Sequence, residues 1–435
     1  MRRTLLLIPH EIAGLPVFGF GWILGAIIVA AIARVVFAKK TGQNVGQLVA
    51  NEGIMWAIAA AAVAFVLPAV ELTNVMDEPV GMAIRGYGVM LLTAVVAAVG
   101  LAAVRAKNRG IDPEVIYSLA PWVFVGGIAG ARIFYLIQYH DRFIWDSPVA
   151  YLKNLFAFTE GGLVVYGSFI GGFLAGSLFI ARNKLPLLRL GDAIVPCMFL
   201  GVCLGRIGCF MNGCCYGGRC EPNWNSVRFP AGSAVYNEQL ISGELLGMKV
   251  NQKKHLVTSV DPSSLADQKG ISKGDELSEI TFAPAPTIEG MADLPREDVL
   301  PGVIARVNLT DEHYWPPAEL PDRALPVQAA QLISSGSSLV LCGLLCGLSL
   351  WIRREGAIMM IGLGSYAGLR FVLEMVRVDE AGQFGTALSI SQWVSVFVGS
   401  AAIIGLIWVI RRELPASVSS ENRPASGEPH DEVSA

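Results

Sequence analysis

Charge is what this sequence has least of. Only 16% of its 435 residues are Asp, Glu, Lys or Arg, against about a quarter in an ordinary soluble domain. The 33 basic and 36 acidic residues nearly cancel, to a net charge of −3, which supplies no basic face for DNA or RNA and no acidic tail. Nucleic acid is therefore excluded as a partner. Eight cysteines are too few for a disulfide scaffold in a chain of this length. Apolar residues are abundant instead, at 53%, with a mean hydropathy of +0.52. They gather into nine segments, at roughly 15–38, 54–72, 84–104, 116–139, 161–181, 193–212, 328–351, 356–377 and 390–410, each near the length that crosses a bilayer. The expected fold class is an all-α polytopic membrane protein with about nine transmembrane helices.

Lys and Arg follow every odd-numbered segment: Arg34, Lys39 and Lys40; Arg105, Lys107 and Arg109; Arg182, Lys184 and Arg189; Arg353 and Arg354; Arg411 and Arg412. Positive loops stay cytoplasmic, so the N-terminus is expected outside and the C-terminus inside, although Arg2 and Arg3 argue the other way. The connection after the sixth segment, about 213 to 327, is too long for a simple loop. It carries 16 acidic and 10 basic residues and is expected to form an extracytoplasmic α+β head. Within it, His255 to Ile280 alternates a strand-like run, a small-residue helix start and a Gly-Asp turn into another strand. This resembles the centre of a PDZ domain, with Leu245 to Val250 resembling its carboxylate-binding strand; the alternative is an irregular cap over the membrane site. Residues 413–435 are rich in Ser, Pro and Glu and are expected to be a disordered cytoplasmic tail.

Charges inside apolar segments are functional candidates, because each is costly at membrane depth unless it is paired or lines a wet cavity. Tyr366, Arg370, Glu374 and Arg377 are spaced 4, 4 and 3 apart and share one helical face. One carboxylate cannot neutralise two arginines, so positive charge remains for an anion; a purely structural Arg370–Glu374 pair is the alternative. Gly201 to Gly218 places Arg206 and Asn212 among six glycines, where an anionic headgroup can approach. Glu160 to Gly176 combines Tyr166 with the small-residue repeats GSFIG and GFLAG, which read as helix-packing surfaces. Arg132, in GARIFY, is a further charge within a span.

In this order, IRGYG (Ile84 to Gly88), GARIFY, GGLVVYGSFIGG, GRIGCFMNGCCYG and SYAGLRFVLEMVR resemble the bacterial prolipoprotein diacylglyceryl transferases. The resemblance covers about 80–218 and 324–410. It implies a seven-span core in the cytoplasmic membrane, with the two N-terminal spans as an addition. The implied divisions are 1–79 (added helices), 80–218 (core, first part), 219–325 (head, PDZ-like at about 240–310), 326–412 (core, second part) and the tail. It also implies transfer of the diacylglyceryl group of phosphatidylglycerol to the lipobox cysteine thiol of a prolipoprotein. Partners would be that lipid, that peptide and the surrounding membrane lipids; no metal or soluble cofactor is implied. On this alignment Arg206, Arg370, Tyr166 and Glu374 are the expected catalytic residues. Tyr87, Arg132, Asn212, Gly217, Tyr366 and Arg377 are the expected substrate-binding ones.

The departures are specific. Tyr166 stands where the family usually has histidine, and a phenol with a pKa near 10 is a poor base at neutral pH. Cys209 replaces an asparagine and Cys214 a glutamate, and Leu325 to Gln331 replaces a histidine-containing motif while keeping Gln328. None of the five histidines falls in a matching motif. Cys209, Cys214, Cys215 and Cys220 have four, none and four residues between them, unlike paired zinc knuckles, so packing or a disulfide is expected ahead of redox or metal chemistry. Two rival functions follow: a silent relative that binds lipid or lipoprotein precursors, and a membrane thiol oxidoreductase.

Overall fold

The computed structural model describes residues 4–42, 44–142, 147, 162, 164–251, 254–283, 295, 299–308, 311–376, 386 and 388–412. The protein is a polytopic membrane protein. Helices α1 (Trp22–Lys40) and α2 (Val45–Ala61) form an N-terminal hairpin tied by an Arg34–Glu52 ion pair at 2.9 Å. The second apolar segment starts helically nine residues before its apolar run, because the Asn44 side chain accepts bonds from the Gly46 and Gln47 amides. Its far end loosens into a π turn, Ala62–Val66, and stops at Pro68.

A sheet that the hydropathy pattern does not reveal adjoins it: β1 (Thr4–Pro9) and β4 (Leu72–Thr73) both pair antiparallel with β5 (Pro79–Arg85), and the short hairpin β2 (Glu11–Ile12) with β3 (Leu15–Pro16) leads from β1 into α1. Strand β5 runs directly into α3 (Gly86–Asn108), so the sheet fixes where the first turn of α3, with Tyr87, begins. Helix α4 (Pro113–Gln138) is started by Asp112 as N-cap and Pro113 in the first turn. It packs backbone to backbone on α5 (Val165–Arg182): a Cβ on Gly130 would sit 2.3 Å from the Gly167 carbonyl oxygen, and one on Gly171 2.2 Å from that of Gly126. The small-residue repeats of 167–176 are thus a packing surface.

Helix α6 (Leu187–Asn212) is the hub, packed against α3, α9 (Ala330–Trp351) and α10 (Ala357–Val376); α11 (Ile390–Arg411) lies along α10. At the end of the bundle away from the head, the fully buried Asp192 accepts from the amides of Gly356 and Met359, both at 2.8 Å, and from Arg109 at 2.9 Å. It thereby caps α10 and ties α3, α6 and α10 together. Among the described residues, seven helices (α1, α3, α4, α6, α9, α10 and α11) are long and apolar enough to span a membrane. Helices α2 and α5 occupy the other two of the nine expected segments but are shorter in that respect.

The head grows from a zipped neck. Strands β6 (Ser226–Val227) and β12 (Val327–Gln328) pair antiparallel, flanked by Gly217 N–H to Gln328 O at 2.9 Å, Gln328 N–H to Gly218 O at 3.0 Å and Cys220 N–H to Pro326 O at 3.2 Å. Above it stand α7 (Ala234–Ile241), the hairpin β7 (Met248–Asn251) with β8 (Leu256–Val260), the single turn α8 (Leu265–Gln268), and a sheet ordered β11 (Asp311–Trp315), β10 (Val303–Val307), β9 (Leu277–Phe282). The expected strand, helix start, turn and strand of 255–280 are present. They share one core around Trp315, Tyr236, Leu246 and Met248. The tail expected at 413–435 lies outside the described residues.

Candidate active site

Helix α10 presents Tyr366, Arg370 and Glu374 on one face, as their spacing requires. Arg370 Nη1 lies 2.7 Å from Glu374 Oε2, and the carboxylate is almost wholly buried. Its second oxygen accepts from Ser389 Oγ at 3.1 Å. Ser389 is also the N-cap of α11 in a complete capping box with Gln392. Arg370 Nη2 donates to Ser391 Oγ at 2.9 Å, and the same hydroxyl meets Tyr166 Oη at 3.2 Å. One polar chain therefore runs Tyr166–Ser391–Arg370–Glu374–Ser389 across α5, α10 and α11. With Glu374 and Ser391 fixing its orientation, the arginine is held in one pose rather than left to sample many.

The second half of the site stands on α6. The Tyr366 ring packs edge-on against Phe199, centroids 6.0 Å apart. Helices α6 and α10 both run from the Asp192 end toward the head. From that contact Arg206 is seven residues further along α6 and Arg370 four further along α10, rises of about 10 and 6 Å. Both arginines thus occupy the head-side part of the bundle. Arg206 is half-buried and, among the described residues, has no ion-pair or hydrogen-bond partner. Its charge is felt at Tyr87, as is that of the thiols of Cys209, Cys214 and Cys215. Gly208 lets the Tyr87 ring lie against α6: a Cβ there would stand 3.3 Å from Tyr87 Cδ2.

Asn212 closes α6, and its side chain acts electrostatically on the Cys214 thiol. Gly213 ends the helix in the left-handed region, φ 73°. All eight cysteines are free of disulfides, so of the two roles expected for the cluster, packing or a disulfide, the second is not formed. The sulfurs of Cys209, Cys214 and Cys215 lie within 4.8 Å of one another, a grouping the linear spacing does not suggest.

Two of the expected substrate-binding residues hold the protein's own backbone. Gly217 sits at the neck, where a Cβ would come 2.9 Å from Gln328 Cβ. Arg132 is fully buried, donates to the Gly162 carbonyl at 3.3 Å and covers the Tyr135 ring at 5.4 Å; it steadies the chain that leads into Tyr166. Arg377 lies outside the described residues. The residues that sequence reasoning missed are Ser389, Ser391, Gln392 and Gln331. The first three were legible only as a Ser-x-x-Gln capping box ahead of an apolar run. Gln331, wholly inaccessible, donates to the Cys214 carbonyl at 2.7 Å.

The arrangement combines a fixed arginine, a second unpaired arginine, hydroxyls and thiols at the head-side end of an apolar bundle. It can hold an anionic ester whose tails lie among the helices. The sequence profile of the family described as prolipoprotein diacylglyceryl transferase matches residues 75–408. The chain is 41% identical over 461 aligned positions to the phosphatidylglycerol–prolipoprotein diacylglyceryl transferase of Rhodopirellula baltica, covering 98% of this chain and 92% of that relative. The enzyme of the same name from Clostridium tetani is 38% identical over 143 residues (33% of this chain, 55% of the relative), and that from Trichormus variabilis 34% over 134 (31% and 46%).

Proposed function

The chain belongs to the prolipoprotein diacylglyceryl transferase family, and on that premise we propose that it moves the diacylglyceryl group of phosphatidylglycerol onto the lipobox cysteine of prolipoproteins. The observation that carries this reading is the arginine held by Glu374 and Ser391, with Arg206 unpaired in the same half of the bundle. The reaction forms a sulfur–carbon bond and breaks the carbon–oxygen bond to phosphate, so negative charge grows on the departing glycerol phosphate. Arg370 and Arg206 stabilise that charge in a site walled by apolar helices, where a charge-assisted contact contributes a few kcal/mol. Tyr166 and Tyr87 position the headgroup or the incoming thiol, and Asn212 and Tyr366 shape the pocket floor. Arg132 acts as a positioning residue for Tyr166.

The basic helix ends gather on the face opposite the head, which supports an orientation with the head outside the cytoplasmic membrane and the C-terminus within the cytoplasm. In that placement the donor lipid enters laterally from the outer leaflet and the peptide arrives beneath the head. The test is transfer of labelled diacylglyceryl from phosphatidylglycerol vesicles to a lipobox peptide by the purified protein. Transfer that is lost with Arg370→Ala, and lost when the peptide cysteine is replaced by serine, is the expected outcome. Protein that binds phosphatidylglycerol but transfers nothing would refute it and leave a silent lipid-binding relative.

A further inference from the structure

The thiols of Cys209, Cys214 and Cys215 have no task in the roles assigned above, yet the chain is bent to bring them together. Cys209 lies in the last turn of α6; Gly213 then turns left-handed, and Cys215 itself adopts φ 59°, a conformation that costs a non-glycine residue free energy. The turn is pinned by the Cys214 amide on the Cys209 carbonyl at 3.1 Å and by the buried Gln331 on the Cys214 carbonyl. The three sulfurs lie within 4.8 Å of one another, and all three residues are only partly buried. A zinc ion binds sulfur at about 2.3 Å, which sets neighbouring tetrahedral ligands about 3.8 Å apart. The observed triad reaches that geometry by closing less than about 1 Å.

Three protein ligands with a fourth position open is the arrangement of catalytic rather than structural zinc. The same ion bound to a thiol removes its proton. We propose that Cys209, Cys214 and Cys215 bind one zinc ion and that the acceptor thiol of the peptide occupies the fourth position; the second half of this inference rests on the transferase reading above. On binding, the thiol proton passes to water. The sulfur electron pair then forms the bond to the glyceryl carbon, while the carbon–oxygen bond breaks with its electrons on the phosphate oxygen, and nothing is oxidised or reduced. This answers what replaces the absent histidine. A free thiol of pKa about 8.5 is only about 3% ionised at pH 7, so a site that holds the thiolate outright gains about thirtyfold.

The full-length protein, purified in detergent under reducing conditions without chelator, is assayed for zinc by mass spectrometry of the elements. About one zinc per chain is expected, lost in each of Cys209→Ser, Cys214→Ser and Cys215→Ser and kept in Cys220→Ser. Cobalt(II) in its place should show a thiolate charge-transfer band that shifts with a lipobox peptide and not with its serine analogue. Removing zinc from the wild-type chain with 1,10-phenanthroline should lower transfer about thirtyfold at pH 7 and make it rise about eightfold between pH 7 and pH 8, with zinc restoring a flat profile. Full transfer by reduced, zinc-free protein, or a Cys209–Cys214 disulfide in active protein, would overturn the site. A zinc-loaded chain that responds to no peptide and transfers nothing would overturn the transferase reading and the thiol half of this inference together, with the three-cysteine site itself upheld by the metal count.

Discussion

Replacing Ser391 by alanine removes a hydroxyl that serves two partners at once, Arg370 Nη2 at 2.9 Å and Tyr166 Oη at 3.2 Å. Ser391 is 6% exposed, so little water is available to take its place. The bond from the guanidinium is charge-assisted and contributes about 1.5–3 kcal/mol, the neutral one about 0.5–1.5. If the arginine must be held still while charge grows on the phosphate, the first loss appears in the transition state, and about 1.5–3 kcal/mol there slows transfer roughly 10- to 150-fold. Tyr166→Phe removes only the neutral bond and should slow transfer about 2- to 13-fold. In the double variant the effects should fall well short of multiplying, since both act through one hydroxyl. Initial rates of diacylglyceryl transfer at saturating phosphatidylglycerol, compared among proteins with equal membrane insertion, decide the matter. A Tyr166→Phe variant slower than Ser391→Ala would refute the reasoning, because the phenol would then be doing chemistry of its own.

Other substitutions test the frame that carries the site. Asp192→Ala strands the amides of Gly356 and Met359 and the partly buried Arg109, and should lower stability by about 2–4 kcal/mol, read as a fall in the thermal midpoint in detergent; Asp192→Asn should lose less. Gly130→Ala places a methyl 2.3 Å from the Gly167 carbonyl oxygen, and should cost about 1–3 kcal/mol by forcing α4 and α5 apart. A distance probe between those helices would report the separation, and an unchanged distance would count against the close packing. In the head, burial, reinforced by Asp322, pushes the Tyr236 phenol up to about 12. Its neutral form is therefore favoured in the folded state: the contribution is intact below pH 10 and lost between pH 10 and 12, about 3 kcal/mol in all. Tyr236→Phe should flatten the alkaline limb of head unfolding, followed by tryptophan fluorescence.

Much of this was legible in the residues because lipid imposes a simple rule on them. Each apolar segment had to satisfy its backbone internally, and each of the nine contains a helix. The ends were less legible where a side chain rather than hydropathy sets them, as at Asn44. The sheet of β1, β4 and β5 escaped notice because its strands are short and β1 lies more than sixty residues before the other two. The face shared by Tyr366, Arg370 and Glu374 follows from a helical repeat and could be read directly. Ser391 could not, since nothing local says that the start of α11 abuts Arg370. The thiol triad depends on two left-handed residues in succession but one, Gly213 and Cys215, and backbone handedness at a cysteine has no signature in composition or spacing.

The clasped neck at β6 and β12 has an evolutionary consequence. Where a chain leaves a bundle and returns through a closed antiparallel ladder, the entropy of bringing the two ends together is met at the ladder, and lengthening the excursion beyond it adds only slowly to that term. Whatever lies above residues 230 and 323 is then free to be enlarged, exchanged or trimmed without shifting α6 against α9. Descendants of such a protein can change what the head greets while the lipid chemistry below is inherited intact.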